Sequence, residues 1–232
     1  MDREILIKAI TQEVLRQMES KQDSQSFQKA ADSADHILLS DMRPGAKVTD
    51  MKRLFESADR NRSYAVCIPQ WFVALAKENL HGSSVKIATI VGLPGGTTSP
   101  MAKYAEIKQA VAAGADIILV PVNMDKCAAG DVKGVQKDLA ESLTACKGKV
   151  EAAAVIEVKD MDKKTLLDTA LACVAVGAKG IMLSAVTGGS VGADMIRDLK
   201  AKGLSVGVIG NVTDRQAEYR QAGADWLAVR NR

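Results

Sequence analysis

The stretch GIMLSAVTGG, residues 180–189, sets how the rest of the chain is read: a short apolar run that breaks into threonine and a pair of glycines. Where strands and helices alternate, such a run is a strand whose carboxyl end lies beside backbone N–H groups able to hold an anion. Active sites of α/β folds are built at that end. What this strand brings to it is Met182, Leu183 and Ser184, so a reactive group must be sought elsewhere.

Outward from this run, short apolar stretches alternate with longer amphipathic ones from His36 onward. The others are HILLSD (36–41), YAVCI (64–68), VKIATIVGL (85–93), DIILVPV (116–122), VEAAAVIE (150–157), SVGVIG (205–210) and DWLAVR (225–230). Each is bracketed by turn or cap residues, the pattern of a parallel sheet with crossover helices. AGAD at 113–116, VGAK at 176–179 and AGAD at 222–225 each put glycine between a helix and the next strand, where it can take the left-handed helix-stop conformation at little cost. Eight such strands close more naturally than they stay open, so the expected fold is α/β, a TIM (β/α)8 barrel over residues 36–232. Strand eight ends near Arg230, which leaves either an open seam or one covered by the amino-terminal segment.

That segment, residues 1–20, reads as an amphipathic helix: Ile7, Ile10, Val14 and Met18 recur at three- and four-residue spacing. The polar, small-residue stretch 21–35 reads as a linker. Two roles stand open for the helix. It either folds back on the barrel or docks on a partner, and here it resembles the short tags that carry enzymes into bacterial microcompartments, with a shell or cargo protein as the partner.

Composition narrows the function. The net charge of +3 comes from 31 basic and 28 acidic residues spread along the 232-residue chain, without the basic runs of nucleic-acid binders, so no nucleic acid is expected. No long apolar span suggests a membrane. Cys67, Cys127, Cys146 and Cys173 show no CxxC spacing and read as reduced thiols of a cytoplasmic protein, or of one inside a microcompartment. With only His36 and His81 and no clustered ligands, neither a metal nor another cofactor is expected.

At the carboxyl ends of the strands the residues to weigh are Asp41, Arg43, Cys67, Asn123, Lys126, Glu157, Lys159 and Arg230. The late loops, with Thr187, Gly188, Gly189, Gly210 and Asn211, occupy the usual barrel position for phosphate, held by backbone N–H groups. Such glycines also serve as plain turns. A loop lysine is more often a solvated charge than a nucleophile, and a cysteine in an apolar strand is more often a small core residue.

Several stretches together resemble the deoxyribose-phosphate aldolase family: AVCIPQWFVALAKENL, KIATIVGLPGG, EIKQAVAAGADIILVPVN, VIEVKDM, GIMLSAVTGG and SVGVIGNV, in the expected order. The resemblance implies a lyase that joins or cleaves acetaldehyde and glyceraldehyde 3-phosphate through a lysine imine, aided by a second lysine and an aspartate. Carried over, the imine lysine falls at Met182, the second lysine at Ile209 and the aspartate at Leu119, none of which can form an imine or move a proton. Lys159 is the candidate substitute. The expected ligand is a small phosphorylated sugar or aldehyde, in a homo-oligomer. Two readings follow: an aldehyde lyase with displaced chemistry, or a catalytically inactive pseudo-aldolase that acts as a binding or structural protein.

Overall fold

The computed structural model describes residues 37–146, 148–186, 188–210 and 212–230. The expectations for segment 1–20, for linker 21–35, and for Thr187 and Asn211 lie outside the described residues.

Eight parallel strands close in sequence order: β1 (Ile37–Ser40), β2 (Ala65–Cys67), β3 (Lys86–Ile90), β4 (Ile117–Pro121), β5 (Glu151–Glu157), β6 (Gly180–Ser184), β7 (Val206–Ile209) and β8 (Trp226–Arg230). Each falls within its expected run. The ring closes where β8 pairs with β1, in the register Ile37 with Leu227 through Ser40 with Arg230. Between the strands run α1 (Val48–Arg60), α2 (Val73–Asn79), α3 (Pro100–Ala113), α4 (Met124–Ala128), α5 (Val132–Leu143), α6 (Lys163–Ala175), α7 (Ala193–Lys200) and α8 (Gln216–Gln221). Among the described residues no helix follows β8.

Local chemistry starts and stops these helices. Ser99 accepts a hydrogen bond from the Ala102 amide, Pro100 opens the first turn of α3, and Gly114 ends it at φ 104°. Asp131 and Asp162 cap α5 and α6 through the amides of Gly134 and Thr165. Each cap satisfies an amide that the helix's own ladder leaves unpaired.

The strands are apolar along their middles, with polar residues kept to their ends, because both their faces are covered. Ile118, Val120, Ile181, Leu183, Val206 and Val208 pack outward with the helices. Their alternates point into the barrel, where bulk on one strand is matched by its absence on another: a Cβ on Gly180 of β6 would lie 2.6 Å from the Trp226 ring of β8, and one on Gly207 of β7 would collide with the Met182 sulfur of β6. The amino-terminal end of the bore is closed by Lys86, which donates to the Tyr64 hydroxyl at 3.1 Å and pairs with Glu151 at 3.4 Å.

One ion pair is buried in the helix layer. Lys103 on α3 donates to Asp138 on α5 at 2.6 Å, with side chains 0% and 3% exposed. Helix α3 also carries the loop after β3: Glu106 accepts the Gly92 amide at 2.7 Å, and the Lys103 stem fills the space where a Gly92 side chain would stand. The polar pair thus lies beneath a loop that reaches the mouth of the barrel.

Candidate functional site

A cavity of about 440 Å³ opens at the carboxyl ends of the strands, within the size range of small-molecule pockets. Its apolar wall comes from interior residues near the carboxyl ends of several strands, among them Ile90, Pro121, Val155, Ile209 and Ala228. Its polar side chains are Ser40, Arg43, Glu157, Ser184 and Arg230. No lysine lines it among the described residues.

The polar groups divide into two sets. On the seam between β8 and β1, Arg43 forks onto Asp41, with Nε to Oδ1 at 2.8 Å and Nη2 to Oδ2 at 2.5 Å. The guanidinium's hydrogen bond holds the Asp41 carboxyl below the ordinary carboxylate value, and the charges of Arg43 and Arg230 act the same way. Asp41 is buried and tied by its own amide to the Cys67 carbonyl at 3.1 Å. On β5, Glu157 Oε2 accepts from Ser184 Oγ at 2.8 Å, while Oε1 is buried with no hydrogen-bond partner among the described residues.

The three positions that the family resemblance marks for chemistry lie in the bore. Leu119, Met182 and Ile209 are 1%, 2% and 7% exposed and belong to the interior alternation, away from the helix layer. Ile209 lines the cavity; Met182 is one interior step below Ser184, and Leu119 one step below Pro121. A thioether and two hydrocarbon groups fill this space.

Lys159 is placed otherwise. It is exposed, and it lines a neighbouring crevice of about 570 Å³ between the loops after β4 and β5, with Gly130, Asp160, Asp162 and Thr165. Glu157 borders both cavities. The Lys159 stem lies against the glycine pair, its Cδ 3.7 Å from where a Gly188 Cβ would stand and its Cα 3.5 Å from the same point on Gly189. Of the described glycines expected to hold phosphate, Gly210 (φ 117°) reaches the mouth, whereas Gly188 (φ 121°) and Gly189 (φ 81°) back onto Lys159. The loops after β6 and β7 are pinned together by Arg215, which donates from Nη1 to Ser190 Oγ and to the Val191 carbonyl while its other nitrogens hold Glu218. The Tyr219 hydroxyl also donates to Val191 O, at 3.3 Å.

Other candidates have structural roles. Asn123 caps α4 by accepting the Lys126 amide at 3.1 Å, and Lys126 Nζ donates to the Gly134 carbonyl at 3.2 Å. Cys67 is buried in the bore, and burial pushes its thiol up to about 12. Among the described residues no group of three or more His, Cys, Asp or Glu is arranged to hold a metal, and no helix is long and apolar enough to cross a membrane. The sequence reading passed over Ser40 and the pairing of Ser184 with Glu157. Strand alternation could have flagged both serines, each being the last interior residue of its strand.

A closed ring of parallel strands with its polar groups at the carboxyl ends is the frame of the barrel enzymes, and comparison with known proteins narrows that class. The chain belongs to the family described as DeoC/LacD family aldolase, whose model matches residues 15–219. It is 31% identical over 201 residues to the deoxyribose-phosphate aldolase of Bacillus cytotoxicus, covering 84% of this chain and 89% of that one. With the deoxyribose-phosphate aldolase of Finegoldia magna it shares 32% over 169 residues, 72% of this chain and 75% of the other. The fold matches that of the tetrameric deoxyribose phosphate aldolase from Aeropyrum pernix at a TM-score of 0.75 and 19% identity, covering 89% and 92% of the two chains.

Proposed function

We propose that this barrel binds a small phosphorylated sugar or aldehyde at its mouth without forming an imine, as a pseudo-aldolase within the family. The observation that carries this reading is the cavity lining, which holds two arginines, a glutamate and two serines but no lysine among the described residues, above a bore filled at the family's chemical positions by Leu119, Met182 and Ile209. Imine formation requires a neutral amine within reach of the carbonyl carbon, and none of these groups supplies one. Arginine stays protonated and hydrogen-bonds phosphate, so Arg230 and Arg43 suit binding more than chemistry.

The test is incubation with 2-deoxyribose 5-phosphate, or with acetaldehyde, in the presence of borohydride, followed by intact mass measurement and by calorimetric titration of 2-deoxyribose 5-phosphate. Binding with an unmodified mass is expected. A covalent adduct, or cleavage of the sugar phosphate, refutes the proposal. The second reading keeps aldehyde-lyase chemistry on Lys159, and its support is that Lys159 borders the same glutamate as the mouth. An adduct mapped by peptide sequencing to Lys159 would establish that reading. The tetramer of the Aeropyrum pernix relative supports a homo-oligomer here too, which light scattering would measure.

A further inference from the structure

Glu157 stands at the end of β5 as a partition, lining the mouth on one side and the crevice of Lys159 on the other. One of its oxygens is committed to Ser184 Oγ; the other, Oε1, is buried and unpartnered among the described residues. A buried acceptor without a donor is costly, and folded proteins rarely keep one unless a further group completes it. Glu157 is also the one carboxylate among the described residues that line the mouth.

Its position in the ring gives this a direction. β5 is four strands from β1 in a closed order of eight, so Glu157 faces the Arg43 and Arg230 side across the opening. The mouth is therefore bipolar, cationic over the β8–β1 seam and anionic at β5, with Ile90, Pro121, Val155 and Ile209 between. An anion alone would satisfy one end only. A molecule that also carries a hydrogen-bond donor at its far end would satisfy both, because Oε1 accepts and cannot donate while ionised.

We infer that Glu157 receives a hydroxyl or ammonium group of a ligand whose phosphate or carboxylate lies on the Arg43 and Arg230 side. The ligand class is then a short molecule, anionic at one terminus and donor-bearing at the other, such as the phosphate of a polyol, a sugar or an amino alcohol. This rests on the reading of the mouth as a site for small phosphorylated molecules and adds the residue that selects among them. Selection comes from the penalty of leaving Oε1 unpaired against an analogue that lacks the donor.

Calorimetric titration with three probes tests it: ethyl phosphate, 2-aminoethyl phosphate and 2-deoxyribose 5-phosphate. The wild-type protein should bind each of the two donor-bearing probes about tenfold or more tightly than ethyl phosphate. Glu157→Gln keeps an oxygen for Ser184 but offers an amide, and should erase that advantage, while ethyl phosphate, an anion that no longer shares the mouth with a carboxylate, should bind no more weakly than it does to wild type. Arg230→Gln should weaken all three probes alike. Equal wild-type affinity for ethyl and 2-aminoethyl phosphate overturns the inference without any variant, as does an advantage that survives in Glu157→Gln. Binding of no probe overturns it together with the sugar-phosphate reading. Glu157-dependent binding of 2-aminoethyl phosphate alone upholds it and refutes that reading.

Discussion

The buried Lys103–Asp138 pair gives the sharpest stability test, through Asp138→Leu. Both side chains are withdrawn from water and meet at 2.6 Å; among the described residues the nearest other cation to Asp138 is Lys126, 3.9 Å away and 36% exposed. Removing the carboxylate strands an ammonium in the helix layer, and breaking such pairs costs about 3–5 kcal/mol. Urea titration at pH 7, with the slope checked against wild type, reads this number, and the melting temperature should drop by about 6–20 °C. Replacing both partners, Lys103→Met with Asp138→Leu, should recover most of the loss. A single-variant penalty under about 1 kcal/mol at pH 7 refutes the argument.

Three more outcomes are expected. Burial pushes the thiols of Cys67 and Cys173 up to about 12 and those of Cys127 and Cys146 to about 11, so a thiol reagent at pH 8 should modify none of the four in the folded protein and all four in guanidinium. Prompt labelling of folded protein would contradict this. Asp41 is held below its ordinary value of 3.8 by Arg43, so its contribution to folding is complete above that value and is lost as the pH falls through the lower folded one. The stability difference between wild type and Asp41→Asn should shrink on acidification below about pH 4, and a difference flat in pH would remove the pairing from the account. If residues 1–20 are a docking tag, the first of the two open roles to be tested, their fusion to a fluorescent protein concentrates it in microcompartments of an expressing cell; diffuse fluorescence would leave the docking role without support.

Much of the barrel was legible because each of its determinants is local. A strand covered on both faces must be apolar along most of its length, and a helix that turns back into a strand uses a glycine such as Gly114 at its stop, so eight runs and three repeated joints were visible as letters. Alternation is local as well: along β4, β6 and β7 it puts Leu119 on the side of Pro121, Met182 on that of Ser184 and Ile209 on that of Gly207. The lateral arrangement of the mouth was not legible. Lys159 lies two residues past β5, where chain direction depends on Asp160 at φ 57°, and it turns to the neighbouring crevice. Nor does anything in the helical segments around Lys103 and Asp138 separate them from solvated charges: their burial arises from how α3 and α5 pack, 35 residues apart in sequence.

Arg215 couples two segments that sequence order keeps apart. One guanidinium grips the loop after β6 through Ser190 and Val191 while anchored by Glu218 in the helix after β7. Swinging either loop away would break hydrogen bonds that also hold the other, so local opening of the two is expected to be coupled. An anion seated on Gly210 would then slow amide exchange at Gly188 and Gly189 as well, although those glycines do not line the same cavity. The rim of the barrel would register occupancy well beyond the atoms that touch the ligand, with rigidity itself carrying the signal between loops.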